Sequence, residues 1–362
     1  MRQETVLNLT VRMQPPADPD TEYKQSRNQD QGKQRAPPPW WRRGLPWTTA
    51  HLRIRIGHNA SVDSSAPAAS LQPMRLLTAI LLAMMLFWPA ARAADASFVT
   101  SDGVRLHYSD TDPLARLANT LVFIPGWTMP GWIFTPQIEA FRGRDRVVVL
   151  DPRGQGDSEI PAAGYNQDRR GDDIAELIGR LHARRVVLIG WSLGVLDTLA
   201  YVHRHGDGAF AGLVLIDNSV GENPPPAPPR LPSHKGPRQS HAAFVAAFVR
   251  SMFRKPQPVD YLRRLTAASL RTPESAANEL LAYPVPRSYW REAVYATDKP
   301  ILYVVRPALA GQAGNLAAHH PNTDTVVIPN IGHALFVDDP TRFDTLLQGF
   351  LARRIQARGA AH

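Results

Sequence analysis

From Thr120 onward the chain alternates short apolar, β-branched runs with longer segments in which apolar residues return every three or four positions. The runs Thr120 to Ile124, Arg146 to Leu150, Arg185 to Ile189, Leu213 to Ile216, Ile301 to Val305 and Thr325 to Ile328 lack clean polar alternation. That is the pattern of parallel strands covered on both faces. Helices are predicted between them at Asp172 to Leu181, with Asp172 and Asp173 in the first turn, and at Asp197 to His203. The alternation predicts a doubly wound, mostly parallel α/β sheet, in which ligands bind beyond the carboxyl ends of the strands. Residues 221–298 interrupt the series with Pro224-Pro225-Pro226-Ala227-Pro228-Pro229 and the helical stretches Ser240 to Phe253 and Pro258 to Ser269. In the first stretch Phe244, Val245, Phe248 and Met252 form an apolar stripe, suited either to lining a pocket or to fixing the segment to the sheet.

Ahead of this series the composition changes twice. Residues 1–73 are rich in Pro, Gln, Arg and Ser and show no sustained period. Such a stretch buries too little apolar surface to offset its conformational entropy, so a disordered or wrongly included extension is expected. Met74-Arg75 then introduces the apolar run Leu76 to Trp88, followed by Pro89 and Ala91-Arg92-Ala93. A charged start, a short apolar core and a small-residue cleavage site make residues 74–93 read as a secretory signal peptide. The apolar run would rise about 20 Å as a helix against a hydrocarbon core of about 30 Å, so no stable membrane span is expected. Translation starting at Met74 and, in a bacterial host, a periplasmic or secreted product follow as expectations. Residues 94–362 are left as one α/β domain.

The 362-residue chain carries a formal charge of +9, which points to a polyanion-binding surface if spread over the folded part. Residues 1–93 hold 12 of the 41 basic and 6 of the 32 acidic residues, so the remainder carries +3 and nucleic acid is not an expected partner. With 44% hydrophobic and 20% charged residues and no cysteine, the chain is neither a disulfide-stapled miniature nor a charge-rich disordered polymer.

The sharpest chemical signal follows the run Arg185 to Ile189: Gly190-Trp191-Ser192-Leu193-Gly194, then an apolar helix. Glycines around a serine let the backbone pass through a tight strand-to-helix turn that projects the hydroxyl and leaves free amides at the helix start. Ser192 is the candidate nucleophile. A serine hydroxyl needs a base within hydrogen-bond reach, and His333, on a loop after the last predicted strand, is placed to be that base. His203, His205, His319 and His320 read as surface residues rather than a metal site, since no carboxylate or thiolate completes a ligand set at suitable spacing.

With Gly190 to Gly194, two further segments make the chain resemble the α/β-hydrolase family from Phe98 to Leu351. Asp151-Pro152-Arg153-Gly154-Gln155-Gly156-Asp157-Ser158 is similar to the family's D-x-R-G-x-G-x-S loop, and Gly332-His333 through Pro340 to the segment carrying its catalytic histidine. The resemblance implies a helical cap inserted after the sixth strand, here at about residues 221–298. It also implies a catalytic acid after the strand preceding the histidine strand, yet Arg306 to Asn315 contains no Asp or Glu. Some members carry the acid one strand earlier, where this chain has Asp217, with Glu222 as the reserve; Asp338 and Asp339 read as part of the turn and helix start after His333. An acid there would orient the imidazole and stabilise its protonated form. One oxyanion donor should be the Leu193 amide. By resemblance the other is the amide of Trp127, in a Pro125-Gly126-Trp127 loop where the family often shows His-Gly. Trp191 and Trp127 are expected to flank the pocket, while Trp132 and Phe134 suit a pocket wall and the core equally.

These residues predict a serine hydrolase acting through an acyl-enzyme on a small, largely apolar carboxylic ester or related acyl compound, with no metal or organic cofactor. Alternatives within the fold are a cofactor-free haloperoxidase-like or acyl-transfer activity and a carbon–carbon bond hydrolase; a non-catalytic ligand-binding protein is the alternative from another class. For the amino-terminal reading, sequencing of the protein from its native host should yield no abundant peptides from residues 1–73, and finding them would refute a start at Met74.

Overall fold

The structure is a computed structural model that describes residues 93–114, 116–117, 119–226 and 240–356. The expected extension, and the expected signal peptide except Ala93, lie outside the described residues. In chain order the elements are β1 (Ala94–Val99), β2 (Arg105–Asp110), β3 (Thr120–Ile124), α1 (Thr135–Phe141), β4 (Arg146–Asp151), α2 (Gln167–Leu181), β5 (Val186–Trp191), α3 (Leu193–His205) and β6 (Gly212–Ile216). The cap helices α4 (His241–Ser251), α5 (Val259–Leu270), α6 (Glu274–Glu279) and α7 (Arg287–Tyr295) come next. The chain then returns to the sheet with β7 (Ile301–Val305), α8 (Ala310–His319), β8 (Thr323–Val327), α9 (Leu335–Asp338) and α10 (Pro340–Phe350).

Among the described residues eight strands form one sheet in the order β1-β2-β4-β3-β5-β6-β7-β8. The pairs from β4 to β8 are parallel, whereas β2 is antiparallel to both β1 and β4. The six predicted strands recur with small end shifts. β1 and β2 are additional, and their mixed exposure explains why an apolar-run criterion passes over them.

Strand periodicity divides the core in two. Val122, Ile124, Leu188 and Leu215 face Ile174, Leu177 and Leu199 of α2 and α3 on one side. Leu121, Phe123, Val187 and Ile189 face Phe141, Phe343, Leu347 and Phe350 of α1 and α10 on the other. No helix among the described residues is long and apolar enough to cross a membrane.

One helix start differs from expectation. Asn166 caps α2 by accepting the Arg169 amide at 2.9 Å, so the helix begins at Gln167 and Asp172 and Asp173 lie in its second turn. Asp172 faces outward to Arg204 at 2.8 Å. Asp173 points inward, where Arg153 donates from Nε and a terminal nitrogen to its two oxygens, each at 2.7 Å. Arg153 is 0% exposed, and this pair fixes the 151–158 loop against α2. Arg153 also donates to the two oxygens of the part-exposed Asp102 at 3.0 and 3.2 Å, so Asp173→Ala would leave the buried guanidinium with that partner alone and should cost about 1–3 kcal/mol of stability. Denaturant unfolding measures this, and a loss below about 1 kcal/mol would show that the guanidinium finds other solvation.

Candidate active site

β5 ends at Trp191 and α3 starts at Leu193, so a single residue makes the turn between them. Ser192 has φ 54° and ψ −119°, a conformation costly for a residue with a Cβ and held here by its surroundings. Its amide donates to the Ile216 carbonyl at 2.9 Å, and its carbonyl accepts Nδ2 of Asn218 at 2.8 Å. Glycine is required at two points: a Cβ on Gly194 would lie 2.2 Å from the Ile124 carbonyl oxygen, and one on Gly126 would lie 2.9 Å from the Ser192 Cβ.

The loop after β8 brings His333 to this turn. Its Nε2 lies 2.8 Å from Ser192 Oγ and its Nδ1 lies 2.6 Å from Asp217 Oδ2. With the proton on Nδ1, the imidazole donates to Asp217 and leaves Nε2 to accept from the serine hydroxyl. Trp191, expected beside the pocket, is 1% exposed and packs beneath the histidine instead. Its Nε1 donates to the His333 carbonyl at 2.9 Å, with the two rings 5.3 Å apart. A buried β-strand terminus, not a pocket wall, is what that position became.

Asp217 follows β6 directly, at φ 51°. The position after β7, where the resemblance implies an acid, carries Arg306. Its backbone amide donates to Asp217 Oδ1 at 2.9 Å and its Nε to Oδ2 at 2.5 Å. Burial alone would push the Asp217 carboxyl up. The His333 hydrogen bond and charge, the Arg306 charge and the Arg306 amide outweigh burial and hold it below the ordinary carboxylate range. Glu222, the reserve acid, is engaged elsewhere: it accepts from Tyr295 and Asn315 side chains, each at 2.6 Å, and from the Asn223 amide at 2.7 Å.

The Leu193 amide is at the first position of α3, where no intrahelical acceptor exists. Among the described residues no acceptor takes the Trp127 amide. The Trp127 side chain joins the cap: Nε1 donates to the Ala277 carbonyl at 2.7 Å, and the indole meets Phe248 and Phe244 edge-on at 5.0 and 6.3 Å. The α4 stripe therefore has two uses, since Val245 and Met252 are fully buried in the core while Phe244 and Phe248 cover the Trp127 ring. Phe134 is core, stacked on Phe336 at 4.5 Å. Trp132 is half-buried at the cap contact, edge-on to Tyr261 at 5.8 Å with the Arg264 guanidinium 4.3 Å over its ring.

Of the four histidines read as surface residues, His320 is buried. It bonds the Thr297 carbonyl at 2.7 Å and Thr323 Oγ1 at 2.8 Å, so it ties the start of β8 to the end of the cap. Ligand atoms of His107, Asp151 and Asp157 lie within 4.8 Å of one another. Asp151 already accepts the amides of Gly131 and Asp157 and faces His107 Nδ1 at 2.8 Å, which makes it a loop organiser rather than an open metal ligand. Asp339 caps α10 as expected of a helix start. Asp338 does more than form the turn: its buried carboxylate accepts the Gly332 and Arg254 amides, each at 2.7 Å, and so joins the His333 loop to the end of α4. Nothing local in the sequence marks Asp338, Arg306 or Asn218 for these tasks, because their partners are far away in the chain.

Residues 121–345 match the profile of the alpha/beta hydrolase family. The non-heme chloroperoxidase CPO-A1 of Kitasatospora aureofaciens is 34% identical over 122 residues, 32% of this chain and 42% of that protein. A bifunctional esterase/perhydrolase of Acinetobacter calcoaceticus is 33% identical over 118 residues, with 32% and 42% covered. The chain thus spans about two fifths of the length of these curated relatives. Among solved structures, an esterase from a Rhodococcus species superposes with a TM-score of 0.59 at 22% identity, over 72% of this chain and 99% of that one. At that identity the superposition shows the fold.

The depressed Asp217 carboxyl has a consequence for stability. The native state is favoured by it at every pH above the unfolded-state value of about 3.9, and that advantage is lost as pH falls through the lower native value. As pH falls below about 4, the unfolding free energy of the wild type should therefore drop more steeply than that of Asp217→Asn. Urea unfolding at each pH checks this; parallel curves would mean that the carboxylate is not held in its ionised form.

Proposed function

Because the chain belongs to the alpha/beta hydrolase family, we propose that it is a serine hydrolase that cleaves a largely apolar carboxylic ester or related acyl compound through an acyl-enzyme. The observation that carries the proposal is the unbroken line from Ser192 Oγ through the imidazole of His333 to Asp217 Oδ2, with links of 2.8 and 2.6 Å. His333 takes the serine proton as Ser192 attacks the carbonyl carbon. The Leu193 and Trp127 amides receive the charge that develops on the carbonyl oxygen. The imidazolium, stabilised by Asp217, returns its proton to the leaving alcohol. Water, deprotonated by His333, then attacks the acyl-serine and releases the acid and free Ser192. The aromatic cluster of Trp127, Phe244 and Phe248, built on the residue after Gly126, supports the preference for an apolar acyl group.

A second reading is favoured by the relatives called chloroperoxidase and esterase/perhydrolase. Hydrogen peroxide in place of water would attack the same acyl-serine and leave as a peracid, again with no cofactor. The two readings share every step up to the acyl-enzyme and differ in the acceptor. Export to the periplasm or beyond the cell belongs to the proposal through the Met74 to Ala93 segment.

A fluorophosphonate should label Ser192 and nothing else, and a panel of esters of increasing acyl length should be hydrolysed by the wild type and not by Ser192→Ala, whose fold should be unchanged. An unlabelled, inactive wild type would favour a ligand-binding protein. Asp217→Asn should lower kcat by up to about four orders of magnitude, while Glu222→Gln should cost less than about tenfold. A folded Asp217→Asn enzyme with near-native kcat would defeat the assignment of the acid. Peracid formation from an ester and hydrogen peroxide, measured beside hydrolysis, decides the acceptor.

A further inference from the structure

The oxyanion loop lacks the histidine that the family often carries before its glycine, yet its backbone and side chains are extensively hydrogen-bonded. Within the loop the Gly126 carbonyl accepts the Met129 amide at 3.1 Å, and one side chain from outside it adds three further bonds. Gln155, in the loop after β4 and 1% exposed, accepts the Thr128 amide at Oε1 over 2.7 Å. Its Nε2 donates to the carbonyls of Gly126 at 3.1 Å and Met129 at 3.2 Å. Only one orientation of the carboxamide meets these partners, since a flipped amide would set N–H against N–H and oxygen against two carbonyl oxygens. The Gln155 backbone is itself fixed, with its amide on the Pro152 carbonyl at 2.9 Å and its carbonyl on the Ser158 amide at 3.1 Å.

The Gly126 carbonyl and the Trp127 N–H belong to the same planar trans peptide and point in opposite directions. Holding that carbonyl from behind therefore aims the Trp127 N–H away from Gln155. The loop needs such restraint. Thr128 has φ 57°, a left-handed conformation unfavourable for a β-branched residue, and Gly126 lies against Ser192. The remaining polar groups of the loop are occupied too: Thr128 Oγ1 donates to the Trp127 carbonyl at 2.7 Å and lies 2.6 Å from Ser269 Oγ of α5. Among the described residues, the Trp127 N–H is left without an acceptor.

We infer that Gln155 is the positioning residue of the oxyanion loop, locking the Gly126–Trp127 peptide so that its N–H is presented to the oxyanion before substrate arrives. The inference rests on the serine-hydrolase reading and adds to it the group that keeps one of the two donors aimed. A donor that is free to flip contributes less when charge develops, because it must reorient during the reaction. Loss of Gln155 should therefore be felt in the transition state and not in the binding of the ester.

The test compares Gln155→Met and Gln155→Glu with the wild type on one p-nitrophenyl ester, with rates normalised to Ser192 titrated by fluorophosphonate, so that a partly unfolded preparation still reports. Gln155→Met should lower kcat by about 10- to 100-fold, with KM within about threefold, since loss of a whole oxyanion donor costs about 100- to 1,000-fold. Affinity for a boronate that mimics the tetrahedral intermediate should fall in proportion to kcat/KM. Gln155→Glu keeps the acceptor for Thr128 but opposes two carbonyls with an oxygen, and should be the slower variant. A kcat per titrated serine within twofold of wild type for both variants overturns the inference, as does a loss of boronate affinity no greater than the change in KM. A wild type that neither hydrolyses esters nor titrates at Ser192 would overturn the hydrolase reading itself, whereas normal wild-type titration with indifferent Gln155 variants would overturn only the role of Gln155.

Discussion

The approach of the Ser192 turn to the carboxyl end of β3, so close that a Cβ on Gly194 would meet the Ile124 carbonyl oxygen at 2.2 Å, sets the geometry of everything around it. Because α3 starts there, its first amide emerges beside the end of β3, and the chain leaving β3 must pass the serine as well. That is why Gly126 is needed and why the Gly126–Trp127 peptide lies next to Ser192. The strain at Ser192 is sustained by bonds to the end of β6, through the Ile216 carbonyl and Asn218. Parallel strands make this possible, since all their carboxyl ends open on the same edge.

The placement of Asp217 follows from the same edge. β6 and β7 run in register, with Ile216 opposite Val304, so the residue after β6 and the second residue beyond that pairing on β7 come within reach of one another. Asp217 and Arg306 occupy those places, and the guanidinium and its own amide take both carboxylate oxygens while leaving room for His333. Moving the carboxylate one strand inward thus comes with a cation that fills the vacated slot. The pair is self-consistent: an arginine there without Asp217 would lose its partner, and Asp217, buried and at positive φ, would lose the guanidinium, one of its three donors, without the Arg306 side chain.

What was legible in the sequence is what is local. The turn glycines, the nucleophile and the fully buried central strands are written in runs of five or six residues, because their constraints come from their own backbone and from burial on both faces. The edge strands β1 and β2 carry polar and apolar residues on partly exposed faces and left no run to find. Asp217 was preferred in the sequence with Glu222 in reserve, and what the sequence did not carry is that Tyr295 and Asn315 occupy the latter. Trp191 misled for a physical reason: an aromatic beside a nucleophile suits a pocket wall, but strand alternation turns it under the sheet, where its indole supports the histidine loop. Asn166 explains the misplaced start of α2, since a side-chain cap outweighs the preference of two aspartates for a first turn.

The cap is tied into both halves of the site, not laid over it. On one side Ser269 and the Ala277 carbonyl hold the loop after β3 through Thr128 and Trp127. On the other the Met252 carbonyl accepts the Ala334 amide at 2.9 Å, and Asp338 binds amides of the histidine loop and of the residues after α4. The rings of Phe244 and Phe248 sit on α4 against the ring of Trp127. The surface that would select an acyl group and the groups that would stabilise its transition state therefore share the same hydrogen bonds, and a change in the cap that shifts α4 must be felt at Trp127 and His333 as well as in the pocket.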